Sequence, residues 1–141
     1  MSLNVIFTDD FNDDDYTDKW TLTGDAAAFV EEDGVLKATP VPSVEDSLVI
    51  QDVTVVAGKV YRVDFIISYK DGNAAGVNIR IGNISGISGK ISMASYGIGK
   101  HSVNVTAPES TTCGIYVSGT GGGAWFDSLI ISEEKFIAMS T

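Results

Sequence analysis

Side chains between Val60 and Tyr69 alternate between apolar and polar. Tyr61, Val63, Phe65, Ile67 and Tyr69 share one parity, while Arg62, Asp64 and Ser68 share the other, broken only by Ile66. A period of two predicts a β-strand with one face on a core and one toward water. The same alternation recurs at Val77, Ile79 and Ile81, set against Asn78 and Arg80. It recurs again at Val103 and Val105, at Cys113, Ile115 and Val117, and at Leu129 and Ile131. Shorter strands are expected at 4–7, 20–23, 29–31, 35–39 and 90–95. Asp33-Gly34 is the strongest hairpin signal in the chain. From Ser47 to Val56 the apolar parity changes near Gln51-Asp52, which predicts a bulge there. No segment carries a 3.6-residue apolar period, and Ala26-Ala27-Ala28 is too short for a helix. About ten short strands at regular spacing predict an all-β chain, a single antiparallel β-sandwich of jelly-roll type.

The 141 residues make one domain of ordinary size, large enough to bury a core without staples. Residues 1–135 are read as the sandwich, and 136–141 as a C-terminal tail or extra edge strand. Ile84 to Gly89 reads as a loop. The 15 glycines crowd into the second half, as tight turns between strands require. Nineteen acidic against nine basic side chains give a formal charge of -10. Nucleic-acid affinity comes chiefly from cations that displace counterions, so a nucleic-acid partner is not expected. An anionic membrane surface is excluded on the same ground, and no stretch approaches the ~20 apolar residues that span a bilayer. Cys113 cannot form an intrachain disulfide and reads as a small buried hydrophobe. The N-terminus lacks the basic and apolar regions of a signal peptide.

Three stretches carry a family resemblance. Phe11-Asn12, Trp20, Gly24 and Asp33-Gly34-Val35-Leu36 are similar to the opening of jelly-roll carbohydrate-binding modules. Ile50 to Val55, then Ala57-Gly58-Lys59-Val60-Tyr61-Arg62-Val63-Asp64-Phe65, resemble their central strands. Gly99 to Pro108 and Trp125-Phe126-Asp127-Ser128-Leu129-Ile130-Ile131 resemble their closing strands. The resemblance covers about Phe7 to Ser132 and extends to the wider group of galactose-binding-like sandwiches. That group includes glycosidase appendages, adhesins and virion proteins.

Four aromatic residues are candidates for stacking on the apolar faces of sugar rings: Tyr69, Tyr96, Tyr116 and Trp125. Tyr116 has the outward parity of its strand, Tyr96 lies between turn glycines, and Trp125 follows a glycine run. Trp20 matches the family's buried tryptophan and is expected in the core. The acidic stretch from Asp9 to Asp15 offers the hard oxygens that Ca2+ prefers, but it is not an EF-hand. No glycine stands sixth from Asp10, and Thr21 replaces the bidentate glutamate. The resemblance implies a different, structural calcium site between the first and last strands, with Asp9 or Asp10 and Asp127 as ligands. Ser128 departs from the Asn or Asp that more often follows such an aspartate.

Catalysis is not expected. His101, the lone histidine, is expected at the surface without a nucleophile beside it, and Cys113 lacks a protease context. Gly119 to Gly123 lacks the Lys-Ser/Thr ending of a phosphate loop. The expected role is a non-catalytic recognition or structural domain, foremost a virion-associated fibre, tail or capsid-decorating protein that contacts glycans and self-associates, for instance as a trimer. The alternative is a sugar-binding module of a secreted carbohydrate-degrading system. Both place the protein on a virion or outside the cell.

Overall fold

A computed structural model describes residues 2–13, 16–42, 45–82, 89–119 and 121–135. The predicted loop at 84–89 falls almost wholly outside them, as do the 136–141 tail and Asp14 and Asp15. Among the described residues eleven strands follow one another: β1 (Ser2–Asp9), β2 (Trp20–Thr23), β3 (Phe29–Glu32), β4 (Val35–Ala38), β5 (Asp46–Ile50) and β6 (Val60–Lys70). After them come β7 (Val77–Ile81), β8 (Lys90–Ser92), β9 (Gly99–Thr106), β10 (Cys113–Val117) and β11 (Ala124–Lys135).

They form two antiparallel sheets packed as a jelly-roll sandwich. The first has the order β3-β4-β11-β6-β9, with β1 also paired to β11; the second has the order β2-β5-β10-β7-β8. β11 is long enough to serve two neighbours on one side. Its start pairs with β4 through Ala124 to Phe126, and its end pairs with β1 from Leu129 onward. The core is the sum of the inward parities. Tyr61, Val63, Phe65, Ile67, Phe126, Leu129 and Ile131 come from the first sheet; Trp20, Leu48, Ile50, Ile79, Ile81 and Ile115 come from the second. Each fully buried side chain of this size contributes about 2 kcal/mol.

Asp33 and Gly34 have φ of 55° and 76°, the two positive values that a tight hairpin turn needs. A Cβ on Gly34 would stand 2.8 Å from the Asn12 amide oxygen, so the turn also seats against the loop after β1. Ala26–Ala28 forms one 3-10 turn, capped by the Asp25 carboxylate on Ala27 N–H.

Two details of register differ from the sequence pattern. The parity change at Gln51-Asp52 is a turn rather than a bulge within a strand. β5 ends at Ile50, Asp52 takes φ of 57°, and Val55 re-enters the core from a non-strand segment. Bulges do occur where β6 meets β11, on either side of Phe126. At the first of them Phe126 pairs with Ile67 and Trp125 with Tyr69, so Ser68 is the extra residue. A one-residue slip reverses every side chain beyond it. Tyr69 therefore leaves the inward parity of Ile67 and is 44% exposed on the outer face.

Candidate functional site

The outer face of the second sheet is built by the residues between the core positions. Register places Ser47, Tyr116, Asn78 and Ser92 in one row across β5, β10, β7 and β8. Val49, Gly114, Arg80 and Lys90 form the next row. The sequence pattern expected Asn78 and Arg80 to be solvated. Instead they are 3% and 4% exposed, and Tyr116 is 8% exposed. Ser47, Val49 and Ser92 are half-buried and Lys90 is exposed.

The chemistry of this face is unusual for an outer surface. The Arg80 guanidinium lies 4.7 Å from the centroid of the Tyr116 ring, a cation–π contact. Its Nε and Nη1 are buried without a hydrogen-bond partner, as is Asn78 Oδ1. Burial holds the guanidinium below its ordinary range, partly opposed by Tyr116. Burial likewise raises the Tyr116 hydroxyl, which bonds to Glu45 and Ser118. Gly114 stands across the ladder from Arg80. A Cβ there would stand 2.2 Å from the Leu48 carbonyl oxygen, so β5 and β10 meet this closely only around glycine.

The outer face of the first sheet carries a second group. Val30, Lys37, Trp125 and Tyr69 form a row across β3, β4, β11 and β6. The Tyr69 and Trp125 rings are 4.7 Å apart between centroids and tilted by 46°. Lys37 Nζ lies 4.2 Å over the indole and also bonds Glu32 at 2.7 Å. The indole is thus held between a cation and a phenol, which leaves Tyr69 as the more open ring. Tyr96 belongs to neither face. It is half-buried at the sandwich edge, 5.4 Å from the Phe65 ring and 5.1 Å from His101. It lines a groove of about 500 Å³ between β8 and β9, with Lys90, Ser92, Ser95 and Asn104.

The acidic residues gather differently from the pattern expected for a cation. Asp9, Asp13 and Glu31 bring one carboxylate oxygen each within 4.8 Å of one another. Asp10 and Asp127 are not members of this group. Asp10 is exposed, and hydrogen bonds from the Asn12 side chain and then from Asn12 N–H hold its carboxyl below the usual range; Asp127 is half-buried at the bulge of β11. Asp9 and Glu31 are buried because both sit on inward parities, Asp9 with Phe7 and Glu31 with Phe29. Asp9 Oδ1 accepts from Phe11 N–H at 2.8 Å and Oδ2 from Trp20 Nε1 at 2.7 Å. Three carboxylates are the donor chemistry of a hard divalent cation, so the residues present fit Ca2+.

No family model and no curated protein matches this sequence. Solved structures do. A mutant of a family 29 carbohydrate-binding module matches with a TM-score of 0.57 and 17% identity, over 93% of this chain and 91% of that one. The low-affinity xylan-binding module CBM86 of Roseburia intestinalis matches with a TM-score of 0.57 and 12% identity, over 95% and 96%. Another family 29 module, from Piromyces equi, matches with a TM-score of 0.55 and 13% identity, over 94% and 91%. The fold is that of a carbohydrate-binding-module-like β-sandwich.

Within this carbohydrate-binding-module fold, the sequence placed Tyr116 on an outer face and Trp20 in the core, where both lie. It missed Asn78, Arg80 and Glu31, and it named Asp13 only within the acidic stretch from Asp9 to Asp15. A signal for Glu31 was available, since Phe29-Val30-Glu31 puts an acid on the inward parity. None was available for Arg80, because an outward arginine on a strand ordinarily reaches water. Cys113 is fully buried, and burial pushes its thiol up to about 12. His101 is half-buried rather than fully at the surface. Its Nε2 lies 2.7 Å from the Gly97 carbonyl oxygen, and its ring packs 5.3 Å from Phe65.

Proposed function

We propose that this protein is a non-catalytic glycan-binding module, acting outside the cell as part of a carbohydrate-degrading system. The observation that carries the reading is the outer face of the second sheet. There an aromatic ring, a guanidinium and an amide stand side by side with hydrogen-bonding atoms unspent. Sugar recognition needs this combination, a ring for the apolar face of a pyranose and fixed polar groups for its hydroxyls. The family 29 and CBM86 neighbours support the same reading through their fold. Virion attachment and a trimer find no support in the fold or its neighbours.

A non-catalytic role is consistent with the two residues best suited to nucleophilic chemistry. Cys113 is sealed in the core with a raised pKa, and His101 is engaged by a backbone carbonyl and two rings. We further propose that Asp9, Asp13 and Glu31 hold a structural calcium ion at the start of the sandwich.

Affinity gel electrophoresis against soluble plant polysaccharides tests the reading. Retardation by at least one of them, lost in Tyr116→Ala, is expected. Unretarded migration with every polysaccharide would overturn it.

A further inference from the structure

We infer that the glycan bound on the outer face of the second sheet carries a negatively charged group, a uronic acid carboxylate or a sulfate, that docks on Arg80. The inference rests on the glycan-binding reading and specifies its ligand class.

Arg80 is 4% exposed, and Nε and Nη1 have no acceptor. A guanidinium remains charged at any pH the protein meets, so the charge is buried with it. Tyr116 compensates part of that charge through its ring but accepts neither of these N–H groups. The ion pairs among the described residues join Lys37 to Glu32, Lys59 to Glu133 and Arg62 to Asp64, and none involves Arg80.

A neutral sugar would repair only half of this deficit. A hydroxyl oxygen can accept an N–H but leaves the buried positive charge without a counter-charge. An anionic oxygen supplies both, with the stronger, charge-assisted bond. Gly114 lies directly across the ladder from Arg80 and puts no side chain beside the guanidinium. Asn78 Oδ1, two residues along the same strand face, has an open acceptor site for a sugar hydroxyl. Tyr116 stands opposite Asn78 and offers the ring. One saccharide unit can meet an aromatic ring, an acceptor and a cation at this face.

The formal charge of -10 repels a polyanion at long range. That repulsion is screened within about 10 Å at 0.1 M salt, whereas a sheltered pair is screened much less. The test is therefore run at 0.1 M salt or above. Polygalacturonate, alginate and glucuronoxylan are compared with their carboxyl-reduced forms, and a sulfated galactan with its desulfated form, by affinity electrophoresis and calorimetry. At least one acidic polymer should bind tenfold or more tightly than its neutral counterpart, and the arm that does so identifies the anion. Arg80→Met should abolish the preference and Arg80→Lys should retain part of it. The melting temperature of Arg80→Met should be equal or higher, because an unpaired buried charge has been removed.

Equal binding of charged and neutral forms would overturn the inference, as would a preference that survives in Arg80→Met. Binding to neutral polymers alone would overturn it while leaving the glycan reading in place. Binding to none would overturn both.

Discussion

The Trp20 indole donates its Nε1–H to Asp9 Oδ2 at 2.7 Å, and both residues are buried. Asp9 ends β1 in the first sheet and Trp20 opens β2 in the second, so this bond ties the two layers across the interior. The indole also packs 5.1 Å from Phe7, edge to face, and 6.2 Å from Phe11. Asp9→Ala leaves an indole N–H unsatisfied and should cost about 2–3 kcal/mol. Asp9→Asn, which keeps an acceptor, should cost less. Urea unfolding distinguishes them; equal stability of Asp9→Ala and the native protein would refute the tie.

The same carboxylate belongs to the proposed calcium site. Adding calcium should raise the melting temperature, by the equivalent of about 2.7 kcal/mol at a hundredfold excess over Kd. Chelation should reverse the rise, and Glu31→Gln should weaken it. An unchanged melting curve after exhaustive chelation and calcium addition removes the metal from the account.

The two outer faces make opposite predictions for glycan binding. Tyr116→Ala should weaken binding about tenfold or more, through the loss of ring stacking. Tyr69→Ala should leave binding within about twofold, because Tyr69 lies on the opposite sheet. If the two variants exchange these results, the site is on the Trp125 face instead.

Cys113 gives the fold an alkaline liability. Burial pushes its thiol from the ordinary 9.0 up to about 12. Between those values the unfolded state releases a proton that the folded state keeps, so stability falls as pH rises. The full loss is about 4 kcal/mol by pH 12, at about 1.4 kcal/mol per unit. It is fully absent below pH 9. Cys113→Ala should flatten this part of the pH–stability curve, whatever its cost at pH 7, and an identical slope in both proteins would contradict the assignment.

Gly114→Ala should destabilise by about 2–3 kcal/mol, since its methyl group meets the Leu48 carbonyl and must push β5 from β10. Gly121→Ala, where a Cβ meets nothing within 4 Å, serves as the control. Denaturant midpoints should separate the two.

Much of the fold was legible along the chain, because a strand with one face in the core must alternate. Val60 to Tyr69, Val77 to Ile81 and Cys113 to Val117 announced β6, β7 and β10, and Asp33-Gly34 announced the hairpin. Cys113 lies in the core as its local pattern indicated, and Trp20 does as the family resemblance implied. What alternation cannot carry is the position of one strand beside another. The bulge at Ser68 depends on how β6 meets β11, 57 residues later at Trp125, and it alone turns Tyr69 outward.

The gathering of functional groups has the same origin. Tyr116 was legible as an outward ring, but its pairing with Arg80 and Asn78 requires β10 to lie beside β7. Asp9 and Glu31 were legible as acids, and only the docking of the β3–β4 hairpin against the loop after β1 brings them together. The chain by itself determined which side chains seek the interior, since that preference is local and set by hydration. The tertiary structure decided which polar groups were carried inward with them, because burial of a neighbour is a property of packed sheets rather than of any one strand.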